Sequence, residues 1–305
     1  MTDKVIVCEV GPRDGLQMAH TRMATPDKIR WIRALAASGL PEIEVGSFVP
    51  ARVIPQMADT AEVVRALVGM SALLVALAPN LKGVQLAVQA GAQRISIPVS
   101  VSEGHSQANT NRTTDQAVAE VARIVAWVRE TGAKVEIEAA MSTAFGCSID
   151  GLVPERRVVE VAEALAATGA DLIALADTVG YAHPAQIRST VRAVRAAIGN
   201  KLEGLHLHDT MGLGLANALA GLEEGVRNFD SSLAGLGGCP YAPGASGNIV
   251  TEDLVFMLES MGMHTGIDVE GLLAARAILA EALPGEQRHG GVARAGLPPT
   301  YKAAA

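Results

Sequence analysis

The sequence predicts a closed (β/α)8 TIM barrel with one extra C-terminal helix, and three observations carry that prediction. Short runs of aliphatic and β-branched residues recur along the 305 residues, each followed by a longer stretch with helical periodicity. Eight such pairs follow one another, the number that closes a barrel, although an open doubly wound sheet would be assembled from the same units. Polar residues able to do chemistry gather just after the predicted strands, at the end of a barrel where catalytic groups collect.

The elements follow in order. Strand Lys4–Val10 runs into Gly11-Pro12-Arg13-Asp14-Gly15, a tight loop, and helix Ala24–Ser38 begins near Pro26 and stops at Gly39. Strand Glu42–Phe48 leads to helix Pro55–Val68, and strand Ala72–Ala78 to helix Leu81–Ala90 with Gly91 after its last turn. Strand Arg94–Ser100 precedes helix Thr113–Thr131, closed by Gly132; strand Lys134–Met141 precedes helix Pro154–Thr168, opened by Pro154 and closed by Gly169. Strand Leu172–Asp177 is followed by helix Pro184–Ile198 and strand Leu202–Asp209 by helix Leu215–Val226. The last strand, Asn228–Ala234, enters a Gly-rich loop before helix Thr251–Met261, and Val269–Leu283 is the additional helix. No break in composition marks a linker, so residues 1–285 are expected to form a single catalytic domain, and the Gly-, Pro- and Ala-rich stretch 286–305 a mobile tail.

Composition narrows the function. With 49% hydrophobic residues the chain can bury a large core; its formal net charge of -7 and lack of a basic block argue against nucleic acid or an anionic membrane as partner. Cys8, Cys147 and Cys239 are far apart and odd in number, which argues against a disulfide framework and suits a reducing cytosol. The N-terminal apolar stretch is too short for a signal peptide and no run approaches membrane-spanning length, so a soluble cytoplasmic protein is expected.

The most informative segment is His206-Leu207-His208-Asp209-Thr210 at the end of an apolar run. Strand side chains alternate faces, so the two imidazoles project to one side and form a ready pair of metal ligands. A lone histidine is more often a satisfied core residue; the same-face pair, with Asp14 after the first strand, changes that balance. Nitrogen, carboxylate and amide donors without thiolate describe an octahedral Mg2+ or Mn2+ site better than tetrahedral zinc. Asn248 could add an amide oxygen, or it could merely cap the helix near Thr251. Asp209 reads as a turn former at least as well as a catalytic group.

Arg13 is placed to stabilise an oxyanion, with an ion pair to Glu44 or Asp177 as the plain alternative. Glu44, Ser47, Ser142 and Asp177 sit at strand ends as substrate-binding or supporting candidates. Cys8 reads as a small core filler, whereas Cys239, in the Gly-rich loop, is either a surface thiol or a group free to move a proton. Arg52 and Arg112 are candidates for holding phosphate.

Several segments together resemble the 3-hydroxy-3-methylglutaryl-CoA lyases, within the larger group of metal-dependent barrel lyases and condensing enzymes. They are Glu9-Val10-Gly11-Pro12-Arg13-Asp14-Gly15-Leu16-Gln17, Ile43-Glu44-Val45-Gly46-Ser47-Phe48, His206-Leu207-His208-Asp209-Thr210, and the stretch from Asp230 through Gly237-Gly238-Cys239-Pro240-Tyr241-Ala242 to Asn248. The resemblance implies Asp14, His206, His208 and Asn248 as metal ligands, Arg13 as enolate stabiliser and Cys239 as a catalytic thiol. It further implies a coenzyme A thioester substrate and a place in leucine catabolism; a homodimer would fit. Three departures touch the substrate: Met18-Ala19-His20 stands where the family has Asn-Glu-Lys, Pro50-Ala51-Arg52-Val53 where it often has Ser-Pro-Lys-Trp, and Ala140 where it has a tyrosine.

The expected activity is therefore retro-Claisen cleavage of a 3-hydroxyacyl-CoA, such as 3-hydroxy-3-methylglutaryl-CoA, to acetyl-CoA and a keto acid (acetoacetate). The departures leave room for a different or bulkier acyl group. A Claisen-type synthase would use the same metal and arginine, and a non-catalytic acyl-CoA-binding barrel is the alternative outside enzymes.

Overall fold

A computed structural model describes residues 4–237, 247–301 and 303. Eight parallel strands close into a barrel in sequence order: β1 (Ile6–Glu9), β2 (Glu42–Ser47), β3 (Leu73–Leu77), β4 (Arg94–Ser100), β5 (Glu136–Ser142), β6 (Leu172–Asp177), β7 (Leu202–Leu207) and β8 (Asn228–Ser231), with β8 pairing β1. The helices between them are α1 (Thr25–Ala37), α2 (Thr60–Leu67), α3 (Leu81–Ala90), α4 (Glu103–Thr110), α5 (Thr114–Thr131), α6 (Glu155–Thr168), α7 (Pro184–Ile198), α8 (Gly214–Glu223) and α9 (Thr251–Ser260); α10 (Val269–Ala282) is the extra helix and α11 (Gly291–Ala295) a short one beyond it.

Local chemistry accounts for the helix ends. The Asn80 side chain accepts from the Gly83 N–H at the start of α3, and Thr113 with Gln116 forms a reciprocal capping box on α5. The main core lies between strands and helices, where outward-facing strand residues such as Ile43, Leu74, Ile95, Ile137 and Leu205 meet the helices. Gly39 closes α1 at φ +95, and a Cβ there would collide with the Gly266 carbonyl, so only glycine lets α1 turn beneath the segment leading into α10.

The barrel interior is polar. Arg94 on β4 reaches Glu42 on β2 at 2.8 Å and Glu136 on β5 at 2.9 Å, and Ser96 donates to Glu138 at 3.0 Å. Among the described residues a small apolar group, Cys8, Val10 and Val75 with Leu73 against it, stands apart from the main core. Cys8 is thus a buried filler as expected, in an acidic setting: burial, then the charges of Asp230 and the nearby glutamates, push its thiol pKa up.

Two expectations change and one helix is added. The helix expected over residues 55–68 is a 3-10 turn, Pro55–Met57, followed by the shorter α2, and α4 has no counterpart in the sequence reading. The last strand stops at Ser231, because Ala234 takes up a left-handed conformation at φ 63 within the turn Leu233–Gly235. Beyond Gly285, His289, Gly291 and Val292 make polar contacts with the body of the protein. The His289 N–H donates to the Ala234 carbonyl at 2.8 Å, Arg276 donates to the His289 carbonyl, and Asp253 accepts from the N–H groups of Gly291 and Val292. Composition sees the lack of large apolar residues but not these polar ties.

Candidate active site

At the C-terminal ends of the strands, β1 opens into a turn of π-helix, Gly11–Gly15, that carries Arg13 and Asp14. Strand β7 presents His206, and His208 follows directly, bridging to Asn248. Alternation along the strand puts both imidazoles on the same side, and their Nε2 atoms stand 3.1 Å apart. The Asp14 carboxylate lies 4.0 Å from His206 Nε2 and 3.7 Å from His208 Nε2. One ligand atom from each of these residues falls within 4.8 Å of the others, and they form the one such group among the described residues.

Asn248 closes the cluster. Its amide nitrogen donates to Asp14 Oδ2 at 2.7 Å, and its carbonyl oxygen is buried with no partner. A half turn of the amide exchanges the two atoms with almost no change of shape and directs the oxygen into the cluster. Helix α9 has Val250 as its N-cap with no side-chain cap, so Asn248 is not the cap that spacing alone allowed. A hard divalent cation fits this donor set of carboxylate, amide and imidazole, all at one point and mostly buried.

The second layer fixes the first. Asp230 on β8 is the cross-strand neighbour of His206, and its Oδ2 lies 3.0 Å from His206 Nδ1. That contact assigns the proton to Nδ1 and leaves Nε2 as a lone pair facing the cluster. Burial works against protonating His206, but the hydrogen bond and charge of Asp230 win and raise its pKa; for His208 burial wins and lowers it. Burial would also raise Asp14, yet the charge of Arg13 and the nearby imidazoles hold it well below the usual carboxylate range. Asp14 is therefore held in its ionised form, the form able to hold a cation.

Arg13 donates from Nε to Glu44 at 2.6 Å and from Nη1 to Asp14 at 2.5 Å. The ion pair with Glu44 is the plain alternative for this arginine; here it holds the guanidinium plane against the Asp14 carboxylate. Gln17 donates to the same Asp14 oxygen at 2.7 Å. Glu44 keeps one buried oxygen without a partner, and burial, only partly offset by Arg13, pushes its pKa to about 7.

The remaining candidates fall elsewhere. Asp177 is fully buried and accepts from the N–H groups of Tyr181 and Ala182 at 3.1 Å, bracing the turn after β6, and burial raises its pKa to about 6. Ser47 is buried and its hydroxyl accepts from the Val49 N–H. Ser142 ends β5 beside Ser100 and is partly exposed. Asp209 accepts from the Gly214 N–H at 2.7 Å, the turn-forming role. Arg52 is exposed, and Arg112 donates to the Pro79 carbonyl at 3.0 Å. Cys239 lies outside the described residues.

Sequence reading missed Asp230 and Gln17 as supports. Gln17 sits three residues after Asp14, a helical spacing that could have been read; Asp230 is visible only through the register of β7 and β8.

A carboxylate and imidazole cluster that could hold a metal, at the mouth of a closed barrel, fits a class of barrel enzymes, and comparison supplies the family. The model of the HMGL-like family matches residues 4–279, and the chain belongs to that family. It is 41% identical to the mitochondrial hydroxymethylglutaryl-CoA lyase of Bos taurus over 281 residues, 92% of this chain and 86% of that one. It is 38% identical to the (R)-citramalyl-CoA lyase of Chloroflexus aurantiacus over 292 residues, 92% of each chain. The solved structure of an HMG-CoA lyase from Acinetobacter baumannii, in complex with coenzyme A and 3-methylmalate, superposes with a TM-score of 0.90 at 40% identity, covering 98% of this chain and 97% of that one. These relatives are carbon–carbon lyases, as the sequence led us to expect.

Proposed function

We propose that this protein cleaves a 3-hydroxyacyl-CoA by retro-Claisen chemistry, releasing acetyl-CoA and a keto acid, with 3-hydroxy-3-methylglutaryl-CoA as the reference substrate. The observation that carries the proposal is the meeting of Asp14, His206, His208 and Asn248 beside Arg13, in a chain of the HMGL-like family. Those four residues would hold Mg2+ or Mn2+. A bound divalent cation supplies Lewis acidity, making the substrate's 3-hydroxyl easier to deprotonate.

A base beside the cluster, with Asp14 and His206 as the candidates, takes the hydroxyl proton; the oxygen electrons form the new carbonyl and the C2–C3 bond breaks, leaving its electron pair on the thioester as an enolate. Arg13 donates hydrogen bonds to that developing oxyanion; Glu44 and Asp14 keep its guanidinium in place, so little reorganisation is needed at the moment of reaction. Cys239 supplies the proton that turns the enolate carbon into the methyl group of acetyl-CoA. The enzyme works in the cytoplasm on a small acyl-CoA; among the described residues no helix is long and apolar enough to cross a membrane.

A second reading concerns the acyl group. The barrel wall beside His206 carries small residues, Ala140 beside Ala174 and Ala174 beside Gly204 across β5, β6 and β7, with Ala140 partly exposed. That wall favours a 3-substituent larger than methyl. The test is acetyl-CoA release from a panel of 3-hydroxyacyl-CoAs, with purified protein and Mg2+ or Mn2+, with and without chelator. Release that is metal-dependent supports the reaction, and the ranking across the panel identifies the acyl group. No release from any member, or release indifferent to chelator, overturns the proposal.

A further inference from the structure

We infer that Glu9 is a positioning residue that holds three separate segments of the active site in register; the inference rests on the metal-binding reading above. Glu9 is the last residue of β1 and is fully buried, and among the described residues no cation pairs with it. Its Oε1 accepts from the Gly11 N–H at 2.8 Å and the Leu233 N–H at 2.9 Å. Its Oε2 accepts from the Thr251 hydroxyl at 2.7 Å and lies 3.1 Å from the same Leu233 N–H.

Each partner belongs to a different functional segment. Gly11 begins the turn that carries Arg13 and Asp14. Leu233 opens the turn that leads toward Cys239. Thr251 stands three positions after Asn248, at the start of α9. Nothing in the chain order keeps these segments in step, since Glu9 and Thr251 are 242 residues apart in sequence.

The chemistry of the contacts explains why a carboxylate is used. Carboxyl oxygens accept, and the three groups bonded to Glu9 here, two backbone N–H groups and one hydroxyl, are all able to donate. Burying a carboxylate without a cation is costly, and burial raises the Glu9 pKa to about 8 even against these hydrogen bonds. Gly11 is part of the same arrangement, because a Cβ there would collide with Glu9 Oε1. A second buried carboxylate, Glu252, accepts from the next N–H, Ala234, so the root of the loop is held at two consecutive amides.

The test compares Glu9→Gln and Thr251→Val with wild type, at a temperature where circular dichroism shows each to be folded. Glutamine keeps the shape but turns an NH2 toward N–H donors, and valine keeps the shape of threonine while removing one donor. Titration with Mn2+ alone and steady-state turnover are both measured. The inference expects Glu9→Gln to weaken Mn2+ binding at least tenfold and to lower kcat with little change in KM. Thr251→Val should show the same pattern more weakly, and Thr251→Ser should restore it. Where Glu9→Gln does not fold, the Thr251 pair carries the test. Variants that only lose thermal stability, with Mn2+ affinity and kcat of the folded protein unchanged, overturn the inference. A wild-type protein that does not bind Mn2+ overturns instead the metal-binding reading on which it rests.

Discussion

Asp230 offers a sharp test of the metal centre, because it touches no predicted ligand except His206. Its Oδ2 accepts from His206 Nδ1 at 3.0 Å, and its side chain is 27% exposed, so solvent screens part of its charge. Carboxylates that orient a metal-binding histidine typically contribute 10- to 100-fold in metal affinity, roughly 1.4 to 2.7 kcal/mol. Asp230→Asn keeps an acceptor for the Nδ1 proton but loses the charge that makes the imidazole a better donor, so its loss should sit near the lower bound, about tenfold. Asp230→Ala removes the acceptor as well, frees the ring to turn and should approach about 100-fold. Equilibrium titration with Mn2+, read from the electron paramagnetic resonance of the free ion, measures both without any assumption about substrate. Affinities within twofold of wild type for both variants would refute the assignment of His206 as an oriented ligand.

Three further outcomes follow from the same geometry. Arg13→Gln should lower kcat by at least about 100-fold, on the order of 3 kcal/mol, with a modest change in KM, as loss of an oxyanion donor does; near-normal turnover in the acetyl-CoA assay would remove that role. Cys239→Ala should slow turnover while metal content by atomic absorption stays the same, and unchanged kinetics would make Cys239 a loop thiol without a part in the reaction. Glu138, raised by burial and then by Asp230 to about 8 from an ordinary value of 4.5, holds a proton in the folded state that it gives up when unfolded. Because the folded state binds more protons across that window, Glu138 makes stability fall as pH rises from about 4.5 to about 8. Thermal melts at several pH values should therefore show a flatter profile for Glu138→Gln, and an unchanged slope would show that Glu138 does not titrate in this way.

The sequence by itself determined the architecture and the centre of the site. Eight alternating units favour a barrel over an open sheet, because each strand and each helix must bury an apolar face and eight such units can do so by closing into a ring, as they do here. The spacing of His206 and His208 put two imidazoles on one face through strand geometry alone, a purely local property. Asp14 and Asn248 were legible from their motifs, though Asn248 had an equally good local reading as a helix cap. Tertiary structure was needed wherever the deciding partner is distant in sequence. Helix α4 has the polar sequence Glu-Gly-His-Ser-Gln-Ala-Asn-Thr, without apolar periodicity, and is held by the Ser102 cap and by Asp150 accepting from the Gly104 N–H. Asp230 meets His206 only through the pairing of β7 with β8, and Glu9 reaches Leu233 and Thr251 only once β8 has paired with β1. Local sequence fixes which way a side chain points along its own strand; which group stands opposite is set by the register of the closed barrel, a property of the whole chain.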